Sequence, residues 1–147
     1  MTGPAARAAG IAEDARTAAA HLSYQRFAPV TPSEPGGDVR ARLEQRILEL
    51  RQTFTVLQDL LGQGPIQACA AKPAAEPQPY GAALAESPRG ATSCVIESTS
   101  GRVGRVRLRT GSYANWPAVA SAAAGSLLPD FPLINKSFEL CYACADR

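Results

Sequence analysis

Two thiols stand three positions apart near the carboxyl end of the sequence, in Cys141-Tyr142-Ala143-Cys144-Ala145-Asp146-Arg147. A gap of two residues lets both sulfurs point at one ion, and thiolate is a donor for soft metals. A pair placed at a chain end, rather than inside a loop, can be tucked into a core after the rest has folded. A closed zinc site takes four ligands. Cys69 and Cys94 stand singly, without partner spacing, and the one histidine, His21, is distant in sequence. A Cys69/Cys94/Cys141/Cys144 site stands as an alternative on cysteine count alone. A redox dithiol of thioredoxin type takes its low pKa from a helix that follows it, and with three residues after Cys144 none is expected here.

A second group with chemical potential is the row Arg102, Arg105, Arg107 and Arg109. It reads either as a solvated strand face or as a face for an acidic partner. A nucleic-acid module is not favoured, because the formal net charge is only +2 and no aromatic residues interleave the arginines.

The elements that position these groups can be read from period and punctuation. Residues 1–37 read as irregular, with at most short helices, and Pro29, Pro32, Pro35 and Gly36-Gly37 break any longer element. Over 38–61 a long amphipathic helix is expected, with Asp38 as its N-cap. Val39, Leu43, Ile47, Leu50, Phe54, Leu57 and Leu61 fall on one stripe, which reads as the core-facing side. Gly62 and Gly64-Pro65 end it. The Ala-, Pro- and Gln-rich stretch 63–85 reads as a flexible connector. Alternation then predicts a two-stranded antiparallel hairpin over about 92–98 and 103–109, turning at Ser98-Thr99-Ser100-Gly101. Trp116-Pro117 opens a short helix ending near Gly125, with Pro117 in its first turn. The fold class is α+β, mainly helical.

A chain of 147 residues is one domain's worth. Its hydrophobic share is 46%, but alanine makes up much of that and aromatic residues only 6%, so part of the core is expected to come from elsewhere. No run of about 18 apolar residues occurs, so no membrane span is expected. The amino end lacks an apolar signal core, which points to a cytoplasmic protein with reduced thiols.

Three segments taken in order resemble one family. The stretch Gly3-Pro4-Ala5-Ala6-Arg7-Ala8-Ala9-Gly10-Ile11-Ala12-Glu13-Asp14-Ala15-Arg16 is similar to a Gly-Pro-x-x-Arg-x-Ser-Gly-Ile-x-x-Asp-x-Arg motif. Glu86-Ser87-Pro88-Arg89-Gly90 is similar to Glu-x-Pro-Arg-Gly. The run from Arg107 through Trp116, then Asp130, then Cys-x-x-Cys-x-Asp-Arg, completes the match. The family is the large subunit shared by respiratory complex I (NADH–quinone oxidoreductase) and the membrane-bound, energy-converting nickel-iron hydrogenases, formate hydrogenlyase included. The resemblance is to the carboxyl-terminal part of that subunit and covers nearly the whole chain. The family's first Cys-x-x-Cys, and the quinone-headgroup His and Tyr of complex I members, have no counterpart here. A split subunit, a truncated gene or a late start codon would each account for that.

The resemblance implies a nickel-iron centre held by four thiolates, two from each Cys-x-x-Cys. Cys141 would be a terminal nickel ligand and Cys144 a bridging one. Pro88 and Arg89 would line the cofactor, with the Arg89 guanidinium over the metals, and Arg89 and Glu139 would be the catalytic side chains. The implied partners are the amino-terminal part of the large subunit, an iron-sulfur small subunit carrying its own cluster, and membrane-arm subunits. The place would be the cytoplasmic face of a membrane. One departure stands out: hydrogenases usually carry Asp-Pro before the third cysteine, where this chain has Glu139-Leu140. The alternative is a complex I-like, non-catalytic fragment without metal. In blander terms, Arg89 sits in a turn and pairs with an exposed acid, Asp130 is a helix-end partner, and Asp146-Arg147 is a local ion pair.

Overall fold

A computed structural model describes residues 1–18, 35–62, 64 and 78–145. The chain runs α1 (Gly3–Ala8), α2 (Ala15–Ala18), α3 (Val39–Gly62), β1 (Tyr80–Ser87), β2 (Gly90–Thr99), β3 (Arg102–Arg109), α4 (Gly111–Ala123), a 3-10 turn (Leu128–Asp130) and α5 (Phe131–Phe138). It is an α+β fold, as the sequence predicts. His21 and Cys69 lie outside the described residues, as do Asp146 and Arg147 with their expected ion pair.

The long helix α3 begins where expected, and Asp38 caps it by accepting the Ala41 N–H at 2.7 Å. Its orientation is the reverse of the core-facing stripe. Leu43, Leu50 and Phe54 are 59%, 57% and 59% exposed, and Ile47, Leu57 and Leu61 are exposed too. The buried side of α3 is Ala41, Arg42 and Gln45. The physical reason lies in what α3 packs on. Its inner neighbours are α1 and α5, and α1 presents small alanines that admit close approach. Arg42 then reaches across to α5, donating from Nε to Ser137 Oγ at 2.8 Å and lying 4.0 Å over the Phe138 ring.

The sheet has three strands rather than the expected two, in the order β1-β2-β3 and antiparallel throughout. The added strand, Tyr80–Ser87, takes up the end of the stretch read as a connector. Its sequence, Tyr-Gly-Ala-Ala-Leu-Ala-Glu-Ser, is poor in β-branched residues, so propensity does not announce it. Pairing does the work: Tyr80 to Ser87 run in register against Glu97 to Gly90. The β2–β3 turn falls at Ser100-Gly101, both at positive φ (52° and 73°), as a tight two-residue hairpin requires.

The carboxyl-terminal helix starts earlier than Trp116-Pro117 suggests. The Thr110 side chain accepts the Tyr113 N–H at 3.1 Å and opens α4 at Gly111, so Pro117 lies inside the helix and not in its first turn. A further helix, α5, follows Asp130, with Pro132 at its start. The apolar core is small: Ala5, Val119, Ile134 and Phe138, flanked by Val39, Trp116, Ala118 and Leu140.

Beside that core lies a buried ionic cluster. Arg7, 1% exposed, reaches Glu49 at 2.7 Å, Glu86 at 3.1 Å and Asp14 at 3.2 Å. Asp14 also takes a fork of bonds from Arg16, and Glu86 accepts the Ala15 N–H. Burial alone would raise the Asp14 pKa, but the Arg16 bonds and the Arg7 charge together hold it below the ordinary value. Glu86 is pushed up by burial, which outweighs its bonds to Ala15 and Arg7. The cluster ties α1, α2, α3 and β1 together, and it is the mechanical root of the β1–β2 turn.

Candidate functional site

The β1–β2 turn is Pro88-Arg89, closed by the Ser87–Gly90 pair and by the Ser87 hydroxyl donating to the Gly90 carbonyl at 2.7 Å. Pro88 is exposed at its tip and Arg89 is half-buried. Behind the turn, backbone meets backbone. A Cβ on Gly3 would come within 2.3 Å of Gly90 Cα, and one on Gly111 within 2.7 Å of the Gly90 carbonyl oxygen. Only residues without a side chain allow α1, the turn and the start of α4 to meet there.

Asn115 fixes the arrangement. It is 1% exposed, accepts the Thr2 N–H at 2.8 Å, and donates from Nδ2 to the Thr2 and Arg89 carbonyls at 2.9 and 3.1 Å. The Thr2 hydroxyl in turn accepts the Ala91 N–H at 2.9 Å. Arg89 thus projects from a backbone held on three sides. Its Nε donates to the carbonyl oxygen of Glu139 at 2.6 Å.

Glu139 closes α5 in the left-handed conformation (φ 56°, ψ 34°), which turns the chain sharply into the thiol segment. Its carboxylate pairs with Arg46, 3.0 Å from Nε. Arg46 also donates to the Ser137 and Phe138 carbonyls, at 2.5 and 2.8 Å. Four contacts pin the tail beyond, one of them from Asn135 Nδ2 to the Tyr142 hydroxyl at 2.7 Å. The Cys141 N–H donates to Ser112 Oγ at 3.0 Å, the Thr110 hydroxyl donates to the Cys144 carbonyl at 3.0 Å, and the Tyr142 ring packs on Trp116 with centroids 5.1 Å apart.

The two thiols touch each other. Their hydrogen bond is the main reason the Cys141 pKa falls and that of Cys144 rises, and the Arg89 charge lowers both. The structure brings Arg89, Glu139, Cys141 and Cys144 to one end of the molecule, with Pro88 beside Arg89. Cys94, on the central strand, is a free cysteine like the other two, and among the described residues no three Cys, His, Asp or Glu side chains gather as a metal site. The donors present fit one half of a four-thiolate nest and not the whole of one. Ser112, Asn115 and Thr110 carry no chemical signature in sequence, yet they hold the backbone of Cys141, Arg89 and Cys144. Their one sequence signal is that they fall within or next to the Arg107–Trp116 run.

The chain matches the family described as respiratory-chain NADH dehydrogenase, 49 Kd subunit, through residues 1–79 and 70–147, and it belongs to that family. It is 33% identical to formate hydrogenlyase subunit 5 of Escherichia coli (strain K12), over 99% of this chain and 26% of that protein. It is 31% identical to the carbon monoxide-induced hydrogenase of Rhodospirillum rubrum, over 100% of this chain and 41% of that protein. It is also 31% identical to an NADH-quinone oxidoreductase subunit of Herpetosiphon aurantiacus, over 100% of this chain and 42% of that protein. The chain thus spans between a quarter and about two-fifths of the length of these relatives. Among the described residues no helix is long and apolar enough to cross a membrane.

Proposed function

We propose that this chain serves as the carboxyl-proximal part of the large subunit of a membrane-associated, energy-converting hydrogenase, and that Cys141 and Cys144 supply half of a nickel-iron site. The observation that carries this reading is the bond from Arg89 to the Glu139 carbonyl, two residues before Cys141, which sets the arginine's charge where it bears on both thiols. Soft sulfur donors suit both metals, and a planar guanidinium beside them can donate to anionic ligands. A bound nickel-iron pair would supply the redox chemistry of hydrogen activation.

The residues of the chain have separate tasks in this reading. Cys141 and Cys144 hold metal. Arg89 presents its charge and its remaining N–H groups toward the metal side, and Pro88 fixes the turn that carries it. Glu139 acts as a positioning residue: its carbonyl orients Arg89, its carboxylate is held by Arg46, and its left-handed backbone aims the tail. The second thiol pair, an iron-sulfur small subunit and membrane-arm subunits would come from the rest of an assembly on the cytoplasmic face of a membrane.

A metal-free, complex I-like role is the second reading. It is favoured by Glu139-Leu140 in place of Asp-Pro, and by the engagement of the Glu139 carboxylate with Arg46 of α3. The two readings separate when the tagged chain is isolated from its native membranes with its companions, and nickel and iron are counted against protein. The hydrogenase reading expects nickel in the assembly, its loss in Cys144→Ser, and hydrogen-dependent dye reduction. A metal-free assembly that reduces quinone with NADH overturns it.

A further inference from the structure

The arginine row is not absorbed by the metal site. β3 is an edge strand, and every residue of it is exposed. Among the described residues no backbone group of β3 is bonded to anything beyond β2. Arg105, Arg107 and Arg109 stand at alternate positions, opposite Glu97, Val95 and Ser93, and so share one face of the sheet. None of the three guanidiniums has an ion-pair or hydrogen-bond partner among the described residues. A cavity of about 690 Å³ opens along this face, touches all three arginines and Tyr113, and ends at Cys144.

We propose that β3 is the docking edge for an extended acidic segment of a second polypeptide, which adds a strand to the sheet and sets carboxylates against Arg105, Arg107 and Arg109. Such a segment complements both the strand edge and its charge. An unpaired strand edge offers main-chain donors and acceptors that a neighbouring strand satisfies. Alternate residues of a strand recur about every 6.8 Å, so carboxylates at alternate positions of the incoming strand meet the arginines one to one, as cross-strand charge pairs. A nucleic acid satisfies the charge but not the edge, and the strand Arg-Val-Gly-Arg-Val-Arg-Leu-Arg has no aromatic ring on which a base could stack. Because the cavity ends at Cys144, the docked strand would also cover the exposed flank of the thiol segment. The inference requires only that the chain works in an assembly. It stands whether or not the thiols hold metal.

The test uses the full chain and three fluorescent probes: a blocked Glu-Val-Glu-Val-Glu peptide, its Gln counterpart, and an oligothymidylate of similar length. The acidic peptide is expected to bind, to weaken roughly tenfold or more in Arg107→Glu, to weaken with added salt, and to slow hydrogen exchange at β3 amides. Arg107→Gln should fall between, and Arg51→Glu, a charge change on the exposed face of α3, should leave binding unchanged. Circular dichroism of each variant separates lost binding from lost fold. Absence of binding by the acidic peptide to the folded chain overturns the proposal. So does equal binding by the Gln peptide or the oligothymidylate, or indifference to both Arg107 variants.

Discussion

Arg89 and Glu139 meet side chain to main chain: Nε of the arginine donates to the carbonyl oxygen of the glutamate at 2.6 Å. The bond joins the β1–β2 turn to the residue that aims the thiol segment, across 50 positions of sequence. It also sets the arginine's charge beside both thiols, where it favours thiolate over thiol. In Arg89→Gln the charge goes and the thiols protonate more readily. The pH at which Cys141 becomes reactive toward iodoacetamide should therefore rise. Alkylation rates across pH, read by mass spectrometry on the Cys141 peptide, measure this. A profile unchanged from wild type would separate Arg89 from the thiols.

The buried cluster gives a pH prediction with two opposing signs. Asp14 is held below its ordinary 3.8, so its contribution to stability is complete above that pH and is lost as pH falls through the lowered value. Glu86 is raised above 4.5, so it favours the folded state only while protonated, and its cost grows as pH climbs from 4.5 through the raised value. Replacing Arg7 with Met removes the cation that Asp14, Glu49 and Glu86 share. Breaking a buried pair in this way costs about 3–5 kcal/mol. Glu86, already raised by burial, then holds its proton in the folded state more strongly still, while Asp14 keeps its bonds from Arg16. Arg7→Met should gain stability on going from neutral to mildly acid pH, which urea midpoints would report. A variant that loses stability over that interval contradicts the assignment.

Cys141 and Cys144 stood out in the sequence by their spacing, but that the Pro88-Arg89 turn and the thiol segment would lie near each other was implied by the family resemblance and not by either local pattern. The hairpin was legible from alternation and from Ser100-Gly101. The direction of α3 was not. Its large apolar residues lie on one stripe, and a stripe tells only that a face exists, not which partner it meets. Here the described chain packs the other face, through Ala41, Arg42 and Gln45, and leaves the stripe beyond Val39 exposed. Strand β1 was hidden because alanine and glycine carry little strand signal and its pairing with β2 is tertiary. The supports of the site, Asn115 and Ser112, were invisible for a related reason: a buried polar residue in a helix shows its role only when its partners are known.

The exposed stripe predicts an asymmetry between the two sides of one helix. Leu50→Lys changes a side chain that is 57% exposed and should shift the folding free energy of the isolated chain by no more than about 0.5 kcal/mol. Ala41→Lys, at a position 3% exposed, forces a charge into the buried side of α3 and should cost several-fold more. Thermal midpoints of the two variants, taken side by side, decide it. A large loss in Leu50→Lys would mean that the stripe is buried within the chain's own fold.

Asn115 should be the most sensitive support of the site. In Asn115→Ala the Thr2 N–H and the carbonyls of Thr2 and Arg89 lose their buried partner. Unsatisfied groups of this kind cost about 1–3 kcal/mol each, so a loss of a few kcal/mol is expected, together with faster hydrogen exchange around the Pro88-Arg89 turn. Asn115→Asp keeps nearly the same shape and separates hydrogen bonding from packing. One carboxylate oxygen can still accept the Thr2 N–H, but the other replaces Nδ2 and faces two carbonyl oxygens. Repulsion and burial both raise the pKa of that aspartate in the folded state. Its folded form then binds a proton that the unfolded form does not, so the variant should be least stable at neutral pH and recover as pH falls toward the ordinary carboxylate range. Chemical denaturation of both variants at neutral and mildly acid pH would show the aspartate variant recovering and the alanine variant following wild type. If the aspartate variant fails to recover, a residue other than Asn115 holds the turn in place.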